Sequence, residues 1–438
     1  MKVAKSVTII IACWFSFSSA FDPLDNYDDE IYYSQIFEVD SAAFSSFYFI
    51  PTLSTTNSNT LHMSLALVYY ANEFFYRHDG KIIIIFSDEL QYHLNYRVAD
   101  SPAILDGYLG INRESIGNIR GDVASSGITY ESEHLLLAIN KARIQTSHFG
   151  ENLLVNRYHS PTENIIIGIR NNHFSLESMI MILQPNNLQS KSLTYHRYGY
   201  TRNNFKFGFS EVSVLSYDNI GSISYKYFMP YSFLYEVEEN YVGASNIFWR
   251  FDLSHYWGNN YFWTEFLIDD YAIDNESPPK TAFLIGLKIQ PFEIPFKFSV
   301  TKVNRWVYNY GYDKPEYRFT DNGTLLGNPI GPDALKISIS SSLKLSGDTY
   351  YAKFFPEVNL YANGEGSLFE NTPVPATENF GYSEQDFLTG DVVYTIQFKM
   401  FGIFHYGNNK LMLIYDNNNS RSRITTTFEY HFSISSKK

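Results

Sequence analysis

The sequence predicts an all-β chain, a transmembrane antiparallel β-barrel of about 18 strands (16 to 18) with a small N-terminal periplasmic element. Three observations predict it. A secretory leader opens the chain, long segments alternate strictly between apolar and polar residues, and 36 Tyr with 36 Phe load it with ring-bearing, strand-favouring side chains. Charged residues make up only 18% of the 438, below the roughly 25% of an ordinary soluble domain.

The leader comes first. Lys2 and Lys5 form a basic start, Val7 to Phe17 is apolar, and Ser18-Ser19-Ala20 places small side chains where a secretory peptidase cuts, so residues 1–20 read as a signal peptide cleaved after Ala20. Ile10-Ile11-Ala12-Cys13 offers an alternative lipoprotein box, but with a very short apolar segment before it and Trp14-Phe15 after the cysteine. Cleavage after Ala20 removes the only cysteine, so the exported chain needs neither disulfides nor a thiolate metal site. Residues 21–60 are expected to form an N-terminal periplasmic segment and residues 61–438 the barrel.

After residue 20 no run approaches the 18 or so apolar residues of a spanning helix; Ile82 to Phe86 belongs to the strongest run. Alternation recurs instead. In Leu335 to Leu345 the odd positions are mostly apolar and the even ones Lys or Ser. Tyr394, Ile396, Phe398 and Met400 alternate with Thr395, Gln397 and Lys399, and Ile424, Phe428, Tyr430, Phe432 and Ile434 with Thr425, Thr427, Glu429, His431 and Ser433. Segments of this length suit the ~9–11 residues with which a tilted strand crosses hydrocarbon, whereas a soluble sandwich or propeller favours shorter strands. Glu429 and His431 should then face the lumen, and Tyr430 and Phe432 lipid or an interface girdle.

Turn formers punctuate the runs: Pro185-Asn186-Asn187, Asp218-Asn219-Ile220-Gly221, Gly407-Asn408-Asn409 and Asp416-Asn417-Asn418-Asn419. Asn309 to Asp333 and Asn363 to Asp391 are longer, rich in Gly, Pro, Asn and acids, and read as loops at the outer rim. Outer-membrane barrels often finish on an aromatic residue; here Phe432 is followed by Ser433-Ile434-Ser435-Ser436-Lys437-Lys438.

A formal net charge of −13 argues against nucleic acid as a partner. No cofactor or metal site is expected. The two closest of the eleven histidines, His148 and His159, are too far apart for a helical metal pair, and no GxSxG elbow or P-loop pattern occurs. Adjacent Asp269 and Asp270 point to opposite faces of a strand and cannot flank one glycosidic bond. The chain therefore reads as a non-enzyme, with an outer-membrane hydrolase assembled from distant strands as the minor alternative.

Three segments carry candidate binding groups. In Tyr261 to Asp270 the even residues Phe262, Phe266 and Ile268 suit lipid, which turns Tyr261, Trp263, Glu265 and Asp269 inward, rings and carboxylates together as a carbohydrate groove uses them. An aromatic girdle with acids at a strand end is the plainer alternative. In Phe205 to Val214 the apolar parity moves from Phe205, Phe207 and Phe209 to Val212 and Val214. A bulge near Ser210 would aim Glu211 into the lumen, with His196, Arg197 and Arg202 as partners or a simple rim salt bridge as the alternative. The third segment, Asn322 to Asp333, follows Arg305-Trp306-Val307-Tyr308; its three Gly and two Pro imply a fixed, folded loop.

In order, Tyr195-His196-Arg197, Phe207-Gly208-Phe209-Ser210-Glu211, Glu265-Phe266-Leu267-Ile268-Asp269-Asp270, Leu284-Ile285-Gly286-Leu287 and Leu326-Gly327-Asn328-Pro329-Ile330-Gly331-Pro332-Asp333 resemble motifs of the Wzi-like capsule assembly proteins of the bacterial outer membrane. The resemblance covers roughly residues 195 to 345. It implies an outer-membrane barrel of about eighteen strands with a helical element on the periplasmic side, acting as a surface lectin that holds capsular polysaccharide. Polysaccharide would then meet Tyr261, Trp263, Glu265, Asp269, Glu211, Arg305, Trp306 and Asp333. Implied partners are capsular polysaccharide, outer-membrane lipid and the barrel-assembly machinery during insertion. A porin-like channel for small solutes is the alternative function.

Overall fold

The computed structural model describes residues 48–50 and 59–436, apart from connections at 71–72, 100–119, 147–150, 157–158, 160, 184–189, 218–224, 230, 242–244, 271–279, 292–293, 311–314, 322, 348–349, 369–386, 407–408 and 419–420. The leader and most of segment 21–60 lie outside the described residues, as do the turns at Pro185 and Asp218. The side chains of Glu429, Tyr430, His431 and Phe432 do too, so their facing is not described.

The first strands are β1 (Tyr48–Ile50), β2 (Asn59–Tyr70), β3 (Glu73–Ile85), β4 (Leu90–Ala99), β5 (Arg120–Glu131) and β6 (Leu135–Gln145). Then come β7 (Thr162–Arg170), β8 (Phe174–Leu183), β9 (Ser190–Arg202), β10 (Phe205–Tyr217), β11 (Ser245–Trp257) and β12 (Asn260–Asp270). β13 (Lys280–Ile289), β14 (Phe296–Val303), the two-residue pieces β15 (Thr320–Asp321) and β16 (Thr324–Leu325), β17 (Ala334–Ser341) and β18 (Leu343–Ser346) follow. β19 (Tyr350–Asn363), β20 (Val393–Tyr406), β21 (Asn409–Asn418) and β22 (Arg421–Ser436) end the chain.

Each long strand pairs antiparallel with its neighbours in sequence, and β2 pairs with β22, from Asn59↔Ser436 to Tyr69↔Thr426, so the sheet closes on itself. Twenty strands belong to this sheet. β1 lies beside Arg143–Gln145 at the end of β6, and β17 and β18 follow one another along β19 as one interrupted strand. Among the described residues eighteen strands therefore make the ring, and pairing β2 with β22 removes the two open edges that a flat sheet would present to lipid. Among the described residues no helix is long and apolar enough to cross a membrane. β22 continues through Ser433 to Ser436, so the residues after Phe432 belong to the last strand.

Alternation sorts the two faces as expected. On β17 and β20 the outward Ile337, Ile339, Ile396 and Phe398 are exposed, as are Ile139, Ile165, Phe205, Phe207 and Phe266 around the ring. In a soluble protein such a surface would drive aggregation; here it is the lipid-facing wall. Near the short turns, rings gather on the outside: Phe174 lies 5.1 Å from Tyr200, and His255 stacks 4.0 Å from Phe205 and 5.5 Å from Trp257. Such a belt suits a water–lipid boundary.

The connections divide by rim. The short connections 86–89, 132–134, 171–173, 203–204 and 258–259 fall at the rim where β2 starts and β22 ends, and there β20 ends and β21 begins. The long connections 100–119, 146–161, 218–244, 304–333 and 364–392, including both loops expected from the sequence, fall at the other. Two of the long ones fold inward and bury a core inside the ring, with Leu153, Leu154, Val155, Val307, Tyr308, Phe319 and Leu326 against Leu193, Tyr195, Phe248 and Trp263 of the wall.

The expected bulge at Ser210 is absent. Glu211 sits opposite His196 on one side and Trp249 on the other in an unbroken register, on the outward face it shares with Phe207 and Phe209. The apolar parity changes because the buried face changes. Toward the long-connection rim Val212 and Val214 pack inward against the lumen core, and the outward residues are covered by the connection between β10 and β11, which carries the helix Leu234–Tyr241.

Candidate functional site

The groups that shape the lumen are charged residues on neighbouring strands and polar atoms of the two inward-folded connections. Even-numbered residues of β11 and odd-numbered residues of β9 face the interior, which brings Arg197 of β9 to Asp252 and Arg250 of β11 across the intervening β10, over Gly208. Arg197 Nη2 is 2.7 Å from Asp252 Oδ1, Arg250 Nη2 is 3.5 Å from Asp252 Oδ2, and Arg250 Nη1 is 3.8 Å from Glu265 Oε2. Arg250 is 1% exposed, and burying a guanidinium is tolerable only with such partners. Its Nη1 also donates to the Thr146 carbonyl at 3.0 Å, and so ties the wall to the first inward connection.

That connection, 146–161, is held along its length. Leu153 N–H donates to Glu265 Oε2 at 2.9 Å, and Thr146 N–H to the Val155 carbonyl at 3.1 Å. Glu151 meets Lys336 Nζ at 2.8 Å and accepts from Ser299 Oγ at 3.1 Å. Burial alone would push the Glu151 carboxyl up, but Lys336 and Lys297 outweigh it and hold the group down at about 2.

The second connection, 304–333, interlocks with the first. Asp269 Oδ2 accepts Tyr308 N–H at 2.6 Å, and Tyr308 O–H donates to the Leu153 carbonyl at 2.7 Å while accepting from Asn328 N–H at 3.1 Å. Asn156 N–H donates to the Leu326 carbonyl at 2.8 Å, and Asn156 Nδ2 to Leu325 at 3.1 Å and to Gly327. The Tyr308 ring lies directly over Gly327, where any Cβ would strike it. On the wall, Lys191 Nζ donates to the carbonyls of Arg318 at 2.6 Å and Thr320 at 2.8 Å.

Asp333, at φ 57°, closes this connection and holds the next: it accepts Gly366 N–H at 3.0 Å, Thr389 N–H at 3.1 Å and Thr389 Oγ1 at 2.6 Å. From Gly323 to Asp333 the loop is thus folded onto its neighbours through Leu326, Asn328 and Asp333; Asn322 lies outside the described residues.

Of the residues expected to meet polysaccharide, Tyr261, Trp263, Glu265 and Asp269 do face inward, as parity requires. None presents a surface. Trp263 is 2% exposed with its ring against Gly286, and Glu265 and Asp269 are occupied by backbone N–H groups of the inward connections. Trp306 and Asp333 are buried as well, and Arg305 is half-buried with its guanidinium 4.8 Å from the Trp306 ring. Glu211 lies on the other side of the wall. Its expected partners separate too: Arg197 turns inward to Asp252, while His196 Nδ1 is 2.9 Å from the Ser232 carbonyl.

Sequence reasoning missed Glu151, Lys191, Arg250, Asp252 and Tyr308. Arg250 and Asp252 could have been placed inside by parity, because Phe251 and Leu253 between and beside them are apolar. Glu151 and Tyr308 lie in irregular segments where no periodicity signals direction. Among the described residues no group of His, Cys, Asp and Glu is arranged to hold a metal ion.

No protein-family model matches the sequence, and no curated protein matches it. Solved structures do match in fold. OccD3 (OpdP) of Pseudomonas aeruginosa superposes with a TM-score of 0.50 at 7% identity, covering 95% of this chain and 100% of that one. The outer membrane protein OpdK of Pseudomonas aeruginosa gives 0.48 at 9% identity over 86% and 98%, and OccAB2 of Acinetobacter baumannii 0.46 at 10% over 87% and 98%. These neighbours are Occ and Opd outer-membrane β-barrels and not Wzi-like capsule proteins, which corrects the resemblance to that family and removes its support for a lectin role and a capsular polysaccharide partner. The physical reason lies in the motifs themselves: Leu284 to Leu287 is ordinary barrel wall, Glu265 and Asp269 pin the inward connections, Asp333 holds Gly366 and Thr389, and Glu211 is taken up by Leu234 and Trp249 outside the wall. In fold, the chain is a bacterial outer-membrane β-barrel.

Proposed function

We propose that the protein is a porin-like channel for small polar solutes, favouring anions, with an aperture set by the connections 146–161 and 304–333. A ring of 16–18 strands is wide enough to leave an aqueous path unless something fills it. One observation carries the reading: the dry core occupies only part of the ring. On β19 and β20 the inward Lys353, Glu357, Tyr361, Thr395, Gln397 and Lys399 are partly exposed, with Tyr361 O–H donating to Gln397 at 3.0 Å. Across β14, β17, β19 and β20, Lys297, Lys336, Lys353 and Lys399 face the lumen against the carboxylates of Glu151 and Glu357. This cationic excess in a chain of net charge −13 favours entry of anions over cations, because charge lining a narrow low-dielectric passage focuses its field there.

Planar-bilayer recording tests this. Discrete conductance steps are expected, with a reversal potential in a salt gradient on the anion-selective side. Lys399→Glu should move that potential toward cation selectivity. A folded, heat-modifiable barrel that yields no steps would overturn the channel, and cation selectivity in the unaltered protein would overturn the anion preference.

A further inference from the structure

The connection between β10 and β11 is used by neither the lumen nor the channel reading. Its described part, Tyr225–Phe228 and Met229 to the helix Leu234–Tyr241, folds over the outside of the wall. Beneath it the outward faces of β9, β10 and β11 are polar where lipid contact would demand apolar residues: Ser192, Thr194, His196, Glu211 and Ser213 are all buried. The worst of these is satisfied by the connection and the wall together, since Leu234 N–H of the connection donates to Glu211 Oε2 at 3.0 Å and Trp249 Nε1 of β11 donates to Glu211 Oε1 at 3.1 Å. Leu234 and Val237 pack on Leu215, Tyr217 and Tyr227, making a second apolar cluster outside the barrel.

At the edge of this cover, where the polar patch gives way to the lipid-facing rings of β10 and β11, a groove of about 350 Å³ opens between Phe209, Glu211, Phe251 and Trp249 of the wall and Phe233, Tyr235 and Glu236 of the connection, with the exposed Glu236 at its solvent side. Tyr231, Phe233 and Tyr235 are exposed beside it, at 72%, 50% and 50%. With Glu211 occupied on both oxygens, the rest of the wall side of the groove offers ring faces and is continuous with the outward wall of Phe205, Phe207 and Leu253.

We propose that this connection is a membrane strap: it seals the polar patch from lipid, seats its exposed rings at the water–lipid boundary, and holds one acyl chain of a membrane lipid in the aromatic groove. Continuity with the lipid-facing wall decides the occupant, because what covers Phe209 and Phe251 on one side of the groove also reaches into it. The proposal needs only the membrane seat of the barrel and stands whether or not the lumen conducts.

The full barrel, extracted into mild detergent from dioleoyl phosphatidylcholine vesicles and examined by native mass spectrometry, should retain one lipid. Phe233→Ala with Tyr235→Ser removes two half-exposed rings outside the ring of strands and should cut retention at least about fivefold, in line with ring contacts of modest strength each. Heat-modifiable migration of the variant confirms assembly. Phe251→Trp, which narrows the groove from the wall side, should also lower retention. Equal retention in all three proteins would overturn the site. So would loss of a lipid-free dimer in the double variant, which would make the occupant a second copy of the chain.

Discussion

Replacing Tyr308 by Phe isolates what fixes the lumen, because it deletes one oxygen and leaves the ring. The ring keeps Phe319 at 5.8 Å and Phe248 at 6.3 Å, and Gly327 still has no side chain to displace it. Two hydrogen bonds disappear, from the tyrosine hydroxyl to the Leu153 carbonyl and from Asn328 N–H to the hydroxyl. Tyr308 and Leu153 are fully buried and Asn328 nearly so, so both backbone groups lose their partner away from water. At roughly 1–3 kcal/mol for each unsatisfied group, less any relaxation, the loss is about 2–4 kcal/mol. It falls on the junction of the two connections and not on the strand ladders, which makes it local. Amide hydrogen exchange is the assay. Protection of Leu153, Asn156 and Asn328 should fall by about 30- to 800-fold, the factor corresponding to that energy, while wall amides such as those of β13 and β14 stay unchanged. Unchanged protection at all three amides would refute the reasoning, and an equal fall in β13 and β14 would show that the connections and the wall unfold as one unit.

Two further outcomes follow from the same contacts. Gly286→Ala places a Cβ about 2.0 Å from the Trp263 ring across the β12–β13 pair, so the indole must leave its rotamer; indole fluorescence should shift to the red and the unfolding temperature in detergent should fall, with a cost of about 1–3 kcal/mol. Because the Glu151 carboxyl is held below its unfolded value, its pairing with Lys336 contributes fully above about pH 4.5 and is lost as pH falls through about 2. Protection of segment 151–156 should thus persist at pH 5 and collapse near pH 2 with the barrel still closed; persistence at pH 2 would contradict the ion pair's role.

The wall of this barrel was legible because one physical demand, an apolar outer face on every crossing strand, writes itself into the chain with period two. Leu335 to Leu345 and Tyr394 to Met400 announce their facing without any partner in view, and so does the inward set Tyr261, Trp263, Glu265 and Asp269. Where a face is covered by protein instead of lipid, that reading misleads. Val212 and Val214 are apolar because inward connections pack on them, and Glu211 tolerates an outward position because Leu234 and Trp249 satisfy it. Period-two reasoning had to invent a bulge there, since it assumes a single apolar side.

The sequence by itself thus determined the all-β wall and picked out two of its long loops, which share one rim. Only the tertiary structure decided that two of the long connections enter the lumen, that the acids Glu265 and Asp269 bind backbone N–H groups and not a sugar, and that a third loop straps the outside. Strand facing depends on neighbours one and two residues away, whereas the contacts of Leu153 with Glu265, of Glu151 with Lys336 and of Tyr308 with Asp269 join residues far apart in the chain. An irregular connection carries no period from which its direction could be read, so its place is settled by which buried donors and acceptors it alone can satisfy.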